Sequence, residues 1–482
     1  MKVLFSTSEA HPLAKTGGLA DVSGALPAAL RTLKVDARVL MPGYPAALEK
    51  TRKLARLFHL ELPGHGEIAL LQGMFPDSGV PVYLIEHPGY FAREGLYQDK
   101  SGQDWPDNAM RFGLLSQLAA WLAGPQSPLD FRPDILHCND WQTGLAPAYL
   151  HFHQPRPTPS VFTIHNLAYQ GVFPPEVLNA LGLPPESFSI NGVEYYGRLS
   201  FLKAGLFYAS HLTTVSPNYA REIQTEAFGM GMQGLLASRS HDLTGILNGI
   251  DTREWNPLSD PYLPSHYGAA NFNGKAANKR ALRSELGLRQ LAKTPLLGMV
   301  SRLTHQKGTD VVLDAAPRLL ELGVQFAVLG GGEAELEAGW RRLAAMHPDR
   351  VAVSIGYDES LAHRIEAGAD IFLMPSRFEP CGLNQMYSQR YGTPPLVHKV
   401  GGLADTVTHA SAENLADGTA TGFVIERLDV DTLIASLRDA IALYHNRPLW
   451  KKLMQNGMKR DFAWSASAQQ YLGVYEKILS AK

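Results

Sequence analysis

Five short segments of this 482-residue chain hold residues whose types and spacing could do chemistry. The first, Lys15-Thr16-Gly17-Gly18, pairs a cation with adjacent glycines. Such glycines let backbone approach a ligand closely, and a helix opening behind them offers N–H groups to an anion. In Ser301 to Gly308, Arg302 and Lys307 stand five residues apart, an arrangement suited to clamping a diphosphate. Ser376 to Leu383 holds Glu379 on a Pro-fixed turn, with Cys381, Gly382 and Leu383 leading into a helix. A carboxylate there can bind sugar hydroxyls, and the helix N-terminus can take up phosphate. His137-Cys138-Asn139-Asp140-Trp141 and Thr163 to Gly171, with His165 and Asn166, each close an apolar run with polar and aromatic side chains. For each segment a plainer reading stands beside the functional one: solvated lysine and arginine, a capping glutamate, a structural histidine.

Several chemistries are excluded. Neither Gly17-Gly18 nor Gly330-Gly331-Gly332 continues as Gly-Lys-Ser/Thr at the required spacing, which disfavours ATP-type phosphoryl transfer. The histidines show no zinc-binding spacing, so no metal or other cofactor is expected. Cys138 and Cys381 are too few for a disulfide framework and suit a reducing cytoplasm. A formal charge of -2 with 19% charged residues makes nucleic acid or an anionic membrane a poor partner. The apolar run at the N-terminus is too short for a signal-peptide core, and no stretch of about 18 uncharged apolar residues predicts a membrane helix.

The elements that must position these segments follow from apolar periodicity. Lys2 to Ser6, a Gly-containing loop, a helical Leu19 to Leu33 and Ala37 to Leu40 read as strand, loop, helix, strand. Strands are expected at Val82 to Ile85, Ile135 to His137, Val161 to Ile164, Leu212 to Val215 and Gly245 to Leu247, with a helix from Asp107, its N-cap, to Ala123. The grammar restarts after residue 290. Strands are expected at Leu296 to Val300, Phe326 to Leu329, Val351 to Ile355, Ile371 to Met374 and Pro395 to His398, alternating with helices. Two doubly wound α/β domains result, 1–250 and 251–460, with a helix in 461–482 crossing back to the first. Residues 256–274, rich in Pro, Gly, Ser and Asn, suit a linker or surface excursion. Lys399-Val400-Gly401-Gly402-Leu403-Ala404-Asp405 echoes Lys15 to Asp21, which predicts two Gly-rich ligand loops.

These segments together resemble the bacterial glycogen synthases and plant starch synthases, and the likeness covers essentially the whole chain. The resemblance implies a GT-B type glycosyltransferase fold: two Rossmann-like domains facing a deep cleft, donor on the C-terminal side and glucan on the N-terminal side. It also implies transfer of an α-glucosyl unit from ADP-glucose to the 4-hydroxyl at the non-reducing end of an α-1,4-glucan, with retention and without a metal. Residue by residue, Lys15 with Gly17 and Gly18 resembles the contact to the donor diphosphate. Arg302 and Lys307 resemble the pair that neutralises departing ADP, and Tyr357 the aromatic that stacks on adenine. Glu379 resembles the glutamate on the glucose hydroxyls, beside Cys381, Gly382 and Leu383, and His165 the group beside the anomeric carbon. Asp21, Asp140, Asn166 and Asn248 occupy matching motif positions.

Departures from the wider group are Tyr387 in place of a second glutamate, Asn384 where some relatives have Thr, and Asn139 where some have His. Tyr97, Tyr195, Tyr196 and Trp141 are candidate sugar platforms, with core packing as the alternative. Because Cys138 and Cys381 lie inside functional motifs, thiol reagents are expected to inhibit.

Overall fold

In the computed structural model, which describes residues 1–481, the chain divides into two units: Met1–Gly249 joined by the segment from Trp464, and Ile250–Ala463. The strands of the first unit are, in chain order, β1 (Lys2–Ser6), β2 (Asp36–Pro42), β3 (Arg52–Leu62), β4 (Gly66–Met74), β5 (Pro81–Glu86), β6 (Ile135–Asn139), β7 (Ser160–Ile164), β8 (Val172–Phe173), β9 (Glu194–Tyr195), β10 (Arg198–Ser200), β11 (His211–Thr214) and β12 (Leu243–Gly245). Nine of them form one sheet in the order β12-β11-β7-β6-β1-β2-β5-β4-β3, and β8, β10 and β9 form a small separate sheet. The large sheet is parallel except for the β3–β4–β5 edge, which is antiparallel. β1, β6 and β7, buried except at Lys2, are mostly apolar, as strands covered on both faces tend to be.

Three local expectations needed correction. The β3–β4 hairpin was not expected: β3 is an edge strand of largely exposed residues, Arg-Lys-Leu-Ala-Arg at its start, while β4 does carry a buried apolar run, Ile68 to Leu71. The strand expected at Gly245 to Leu247 lies two residues earlier, at Leu243–Gly245. Asp107 does precede the helix Asn108–Ala123, but its carboxylate caps nothing and instead meets Arg93 through two 2.9 Å contacts.

The helix Trp464–Ser480 packs on Gly18–Thr32 in this same unit. Its buried Tyr475 hydroxyl lies 2.7 Å from Nδ1 of His137, at the heart of the sheet.

The second unit holds β13 (Leu296–Val300), β14 (Gln325–Leu329), β15 (Val351–Ser354), β16 (Ile371–Met374), β17 (Pro395–His398) and β18 (Phe423–Ile425). All pair in parallel in the order β15-β14-β13-β16-β17-β18. Its core gathers Phe326, Trp340, Leu319, Leu373 and Leu437 between the sheet and its helices. Residues 256–274 do not behave as a linker. Leu263 and Tyr267 are buried with Ala367 and Tyr391, so two apolar anchors hold an otherwise polar segment against the unit.

Candidate functional site

In the parallel part of each large sheet the strand order reverses once, and the loops at that point are where an open α/β sheet leaves room for a ligand. In the second unit the reversal falls between β13 and β16. The loops leaving these strands carry Arg302 with Lys307 and Glu379, respectively. In the first unit it falls between β1 and β6, whose loops carry Lys15 and Asp140.

In the second unit the two loops are tied together. Arg377 binds Asp310 with two 2.7 Å contacts, its N–H donates to the Gln306 carbonyl at 2.9 Å, and Gln306 Nε2 donates to the Phe378 carbonyl. Thus pinned, Lys307 Nζ lies 2.5 Å from Glu379 Oε2, with both side chains mostly buried. Ser376 Oγ donates to the same oxygen at 2.9 Å. Both contacts fall on Oε2, so Oε1 is the oxygen left for a further donor. The Arg302 guanidinium extends to Gln306 at 3.4 Å.

Gly401 and Gly402 support this turn from behind. A Cβ on Gly401 would meet the Glu379 carbonyl at 1.8 Å, and one on Gly402 the Cys381 carbonyl at 2.2 Å. Gly402 N–H donates to the carbonyls of Glu379 and Pro380. The echoed Gly-Gly is therefore a packing device, and its expected role as a second ligand loop is corrected. Asn384 is likewise structural, donating to the Val300 carbonyl at 2.6 Å. Gly382 takes a left-handed φ of +73° ahead of the helix Asn384–Arg390, with Leu383 at its N-cap. Tyr357 stands 74% exposed after β15.

In the first unit, Gly17 and Gly18 have nothing within 4 Å of where a Cβ would stand, so the loop is open on that side. The loop is held from inside by Glu9, which lies outside the five segments picked out from the sequence. Its carboxylate accepts from Thr16 N at 2.5 Å, from Thr16 Oγ1, from Gly17 N at 3.3 Å and from the Tyr97 hydroxyl at 3.1 Å. Burial raises the Glu9 carboxyl above its ordinary value against these contacts. A carboxylate just past β1, before a Gly-Gly loop, was the available signal. Lys15 Nζ meets Asp21 at 2.7 Å on the surface.

His165 is buried beyond β7, with Nε2 3.0 Å from Asn139 Oδ1. Burial drives its pKa down to about 3, which keeps the ring neutral. Asp140, at the end of β6, adopts φ +59° and ψ −179°, a region almost reserved for glycine. It is buried, its Oδ1 has no hydrogen-bond partner among the described residues, and burial lifts its carboxyl to about 8 against the backbone N–H groups of Asn166, His165 and Trp141. Such perturbed groups concentrate at functional sites. Asn248 is also buried with an unpartnered Oδ1. Asn166 accepts from Ala168 N at 3.0 Å, a turn contact.

The proposed platforms divide. Trp141 packs on Phe112, Phe173 and Phe201 and is a core group, whereas Tyr97 is partly exposed, with its hydroxyl tied to Glu9 and Ser8. Tyr195 donates to the Met230 carbonyl, while Tyr196 is 81% exposed. The expectation of thiol reactivity fails for Cys138, which is fully buried with its thiol pushed well up by desolvation; Cys381 is buried as well.

Two parallel-sheet units with reactive loops at their strand-order reversals define a glycosyltransferase of the GT-B type. Residues 2–238 match the starch synthase catalytic domain family, and 287–460 match the glycosyl transferases group 1 family. The chain belongs to the glycogen synthase family: it is 55% identical to the glycogen synthase of Nitrosomonas eutropha over 99% of this chain and 96% of the relative. It is 53% identical to that of Nitrosomonas europaea over 99% and 98%. The catalytic domain of starch synthase IV from Arabidopsis thaliana, solved with ADP and acarbose, superposes with a TM-score of 0.89 at 33% identity over 99% of both chains. The reaction is thus the glycosyl transfer of glycogen synthesis. No helix among the described residues is long and apolar enough to cross a membrane.

Proposed function

We propose that the chain transfers an α-glucosyl unit from ADP-glucose to the 4-hydroxyl at the non-reducing end of an α-1,4-glucan in the cytoplasm, with retention and without a metal in the reaction. The observation that carries this reading is the Lys307–Glu379 pair. In a nucleotide sugar the diphosphate and the glucose are adjacent, and here a cation for one sits 2.5 Å from an acceptor for the other's hydroxyls. The ADP and acarbose of the starch synthase IV structure, a nucleotide and a glucan-like sugar, support both substrate classes.

The bond from C1 to the phosphate oxygen breaks, leaving positive charge on the sugar and added negative charge on ADP. Cations fixed before the reaction stabilise that charge more in the transition state than in the ground state. We assign Lys307 and Arg302 to the leaving phosphates, and Lys15 with the open Gly17-Gly18 loop to binding of the donor. Glu379 orients the glucose, Tyr357 offers its exposed ring to adenine, and neutral His165 lies at the anomeric side without competing for a proton. The acceptor O4 bonds to C1, and its proton passes to the departing phosphate oxygen. This front-face route needs no carboxylate nucleophile, unlike a retaining hydrolase. Asp140, protonated over much of the neutral range, and Asn166 and Asn248 are assigned to hydroxyl contacts.

Transfer of labelled glucose into glycogen from ADP-glucose and from UDP-glucose tests the donor; preference for the uridine sugar overturns it. Lys307→Ala is expected to lower kcat by about 100-fold or more, the scale of one lost transition-state contact. Unchanged turnover with intact donor affinity counts against the clamp.

A further inference from the structure

In the second unit a group of residues that the transfer reaction does not use comes together from distant segments. Glu359 and His363 stand four residues apart on the helix Glu359–Gly368, hence on one face. Glu254, in the turn after Asp251, joins them, and the potential ligand atoms of the three side chains all lie within 4.8 Å of one another. Crowded carboxylates alone would say little. The histidine is what distinguishes this cluster.

His363 is 1% exposed. Its Nδ1 lies 2.7 Å from Oδ2 of buried Asp260, which also accepts from the Tyr391 hydroxyl at 2.5 Å. The ring is stacked on Trp255, centroids 3.8 Å apart at 14°, so it cannot turn freely. Nε2 is buried and has no hydrogen-bond partner among the described residues. A buried polar atom is rarely left without a partner. With Nδ1 held by Asp260, Nε2 is the nitrogen available to the two glutamates' side of the ring. A carboxylate that fixes one imidazole nitrogen while the other is presented to ligands is the arrangement that orients metal-binding histidines.

We propose that Glu254, Glu359 and His363 form a binding site for one divalent transition-metal ion, zinc by donor preference, clamping the turn after Asp251 to the helix Glu359–Gly368. An imidazole nitrogen argues against magnesium or calcium, and two carboxylates without a thiolate argue against copper(I). Three protein ligands leave a fourth tetrahedral position for water. At metal–ligand distances of about 2.0 to 2.2 Å the donors must close to roughly 3.4 Å apart, a rearrangement the exposed Glu254 side chain can supply. The sequence hid this site because Glu-x-x-x-His is a single pair on a helix and its third ligand comes from a distant turn.

The test uses the full chain stripped with EDTA, desalted and titrated with zinc chloride against a chromophoric chelator. One zinc ion per chain is expected, with a rise in Tm and a change in tryptophan emission from Trp255. Glu254→Gln and Glu359→Gln, both away from the buried core, should each weaken binding at least about 10-fold while keeping the metal-free Tm of the wild type. Absence of zinc binding by the wild type overturns the proposal, as does wild-type affinity in either variant.

Discussion

At Asp140 three unfavourable features meet: burial, an unpartnered Oδ1 and a left-handed extended backbone. Residues held this way persist where the surroundings over-determine them, commonly at functional sites. The pH consequence has a definite sign. The carboxyl ionises near its ordinary 3.8 in the unfolded chain but at about 8 when folded. Between those values the folded state holds the extra proton, so stability falls as pH rises, with a limiting slope of about 1.4 kcal/mol per pH unit. Asp140→Asn removes the titration. Its Tm should gain on the wild type from pH 4.5 to 8, while glucan elongation drops about 10-fold or more; a Tm difference independent of pH counts against a buried neutral carboxyl. His165 and Asp140 were legible as strand-end polar residues. Glu9 shows in the sequence only as a carboxylate just past β1 ahead of a Gly-Gly loop; that Thr16 and Gly17 donate to it depends on the chain folding back.

At the scale of elements, the two Gly-Gly loops look alike in sequence and differ in use. One has open space where its Cβ atoms would stand, and the other is pressed against the Glu379 turn. Gly402→Ala forces a Cβ to within 2.2 Å of the Cys381 carbonyl. It should cost about 1–3 kcal/mol, seen as a lowered midpoint in urea, and displace Glu379. Gly18→Ala, with open space around it, should leave that midpoint within about 0.5 kcal/mol and raise KM for the donor. Equal destabilisation by both would contradict the division. Short apolar runs revealed the parallel strands because strands covered on both faces are largely apolar, as Ile371–Met374 is throughout. The same logic misses β3, whose charged edge has no such run, and the 256–274 segment, where Leu263 and Tyr267 alone do the anchoring.

For the whole molecule, the feature that matters most is the return of the chain to its first unit. Tyr471 and Tyr475 are fully buried there, and His137 loses its Nδ1 partner without them. Ending the chain before Trp464 should therefore expose the Gly18–Thr32 helix and lower the Tm of the first unit by about 5 °C or more, with faster proteolysis within 1–249 than within 250–463. Equal protease resistance of the two would show the helix to be dispensable.

That return also orders events during synthesis. Domains commonly fold as they leave the ribosome, N-terminal part first. Here the second unit is complete in the nascent chain while the first still lacks the helix that covers its sheet. The segment from Trp464, translated after the whole of the second unit, finishes the unit begun first, so a chain terminated before it is left with an unfinished first unit that quality control can recognise.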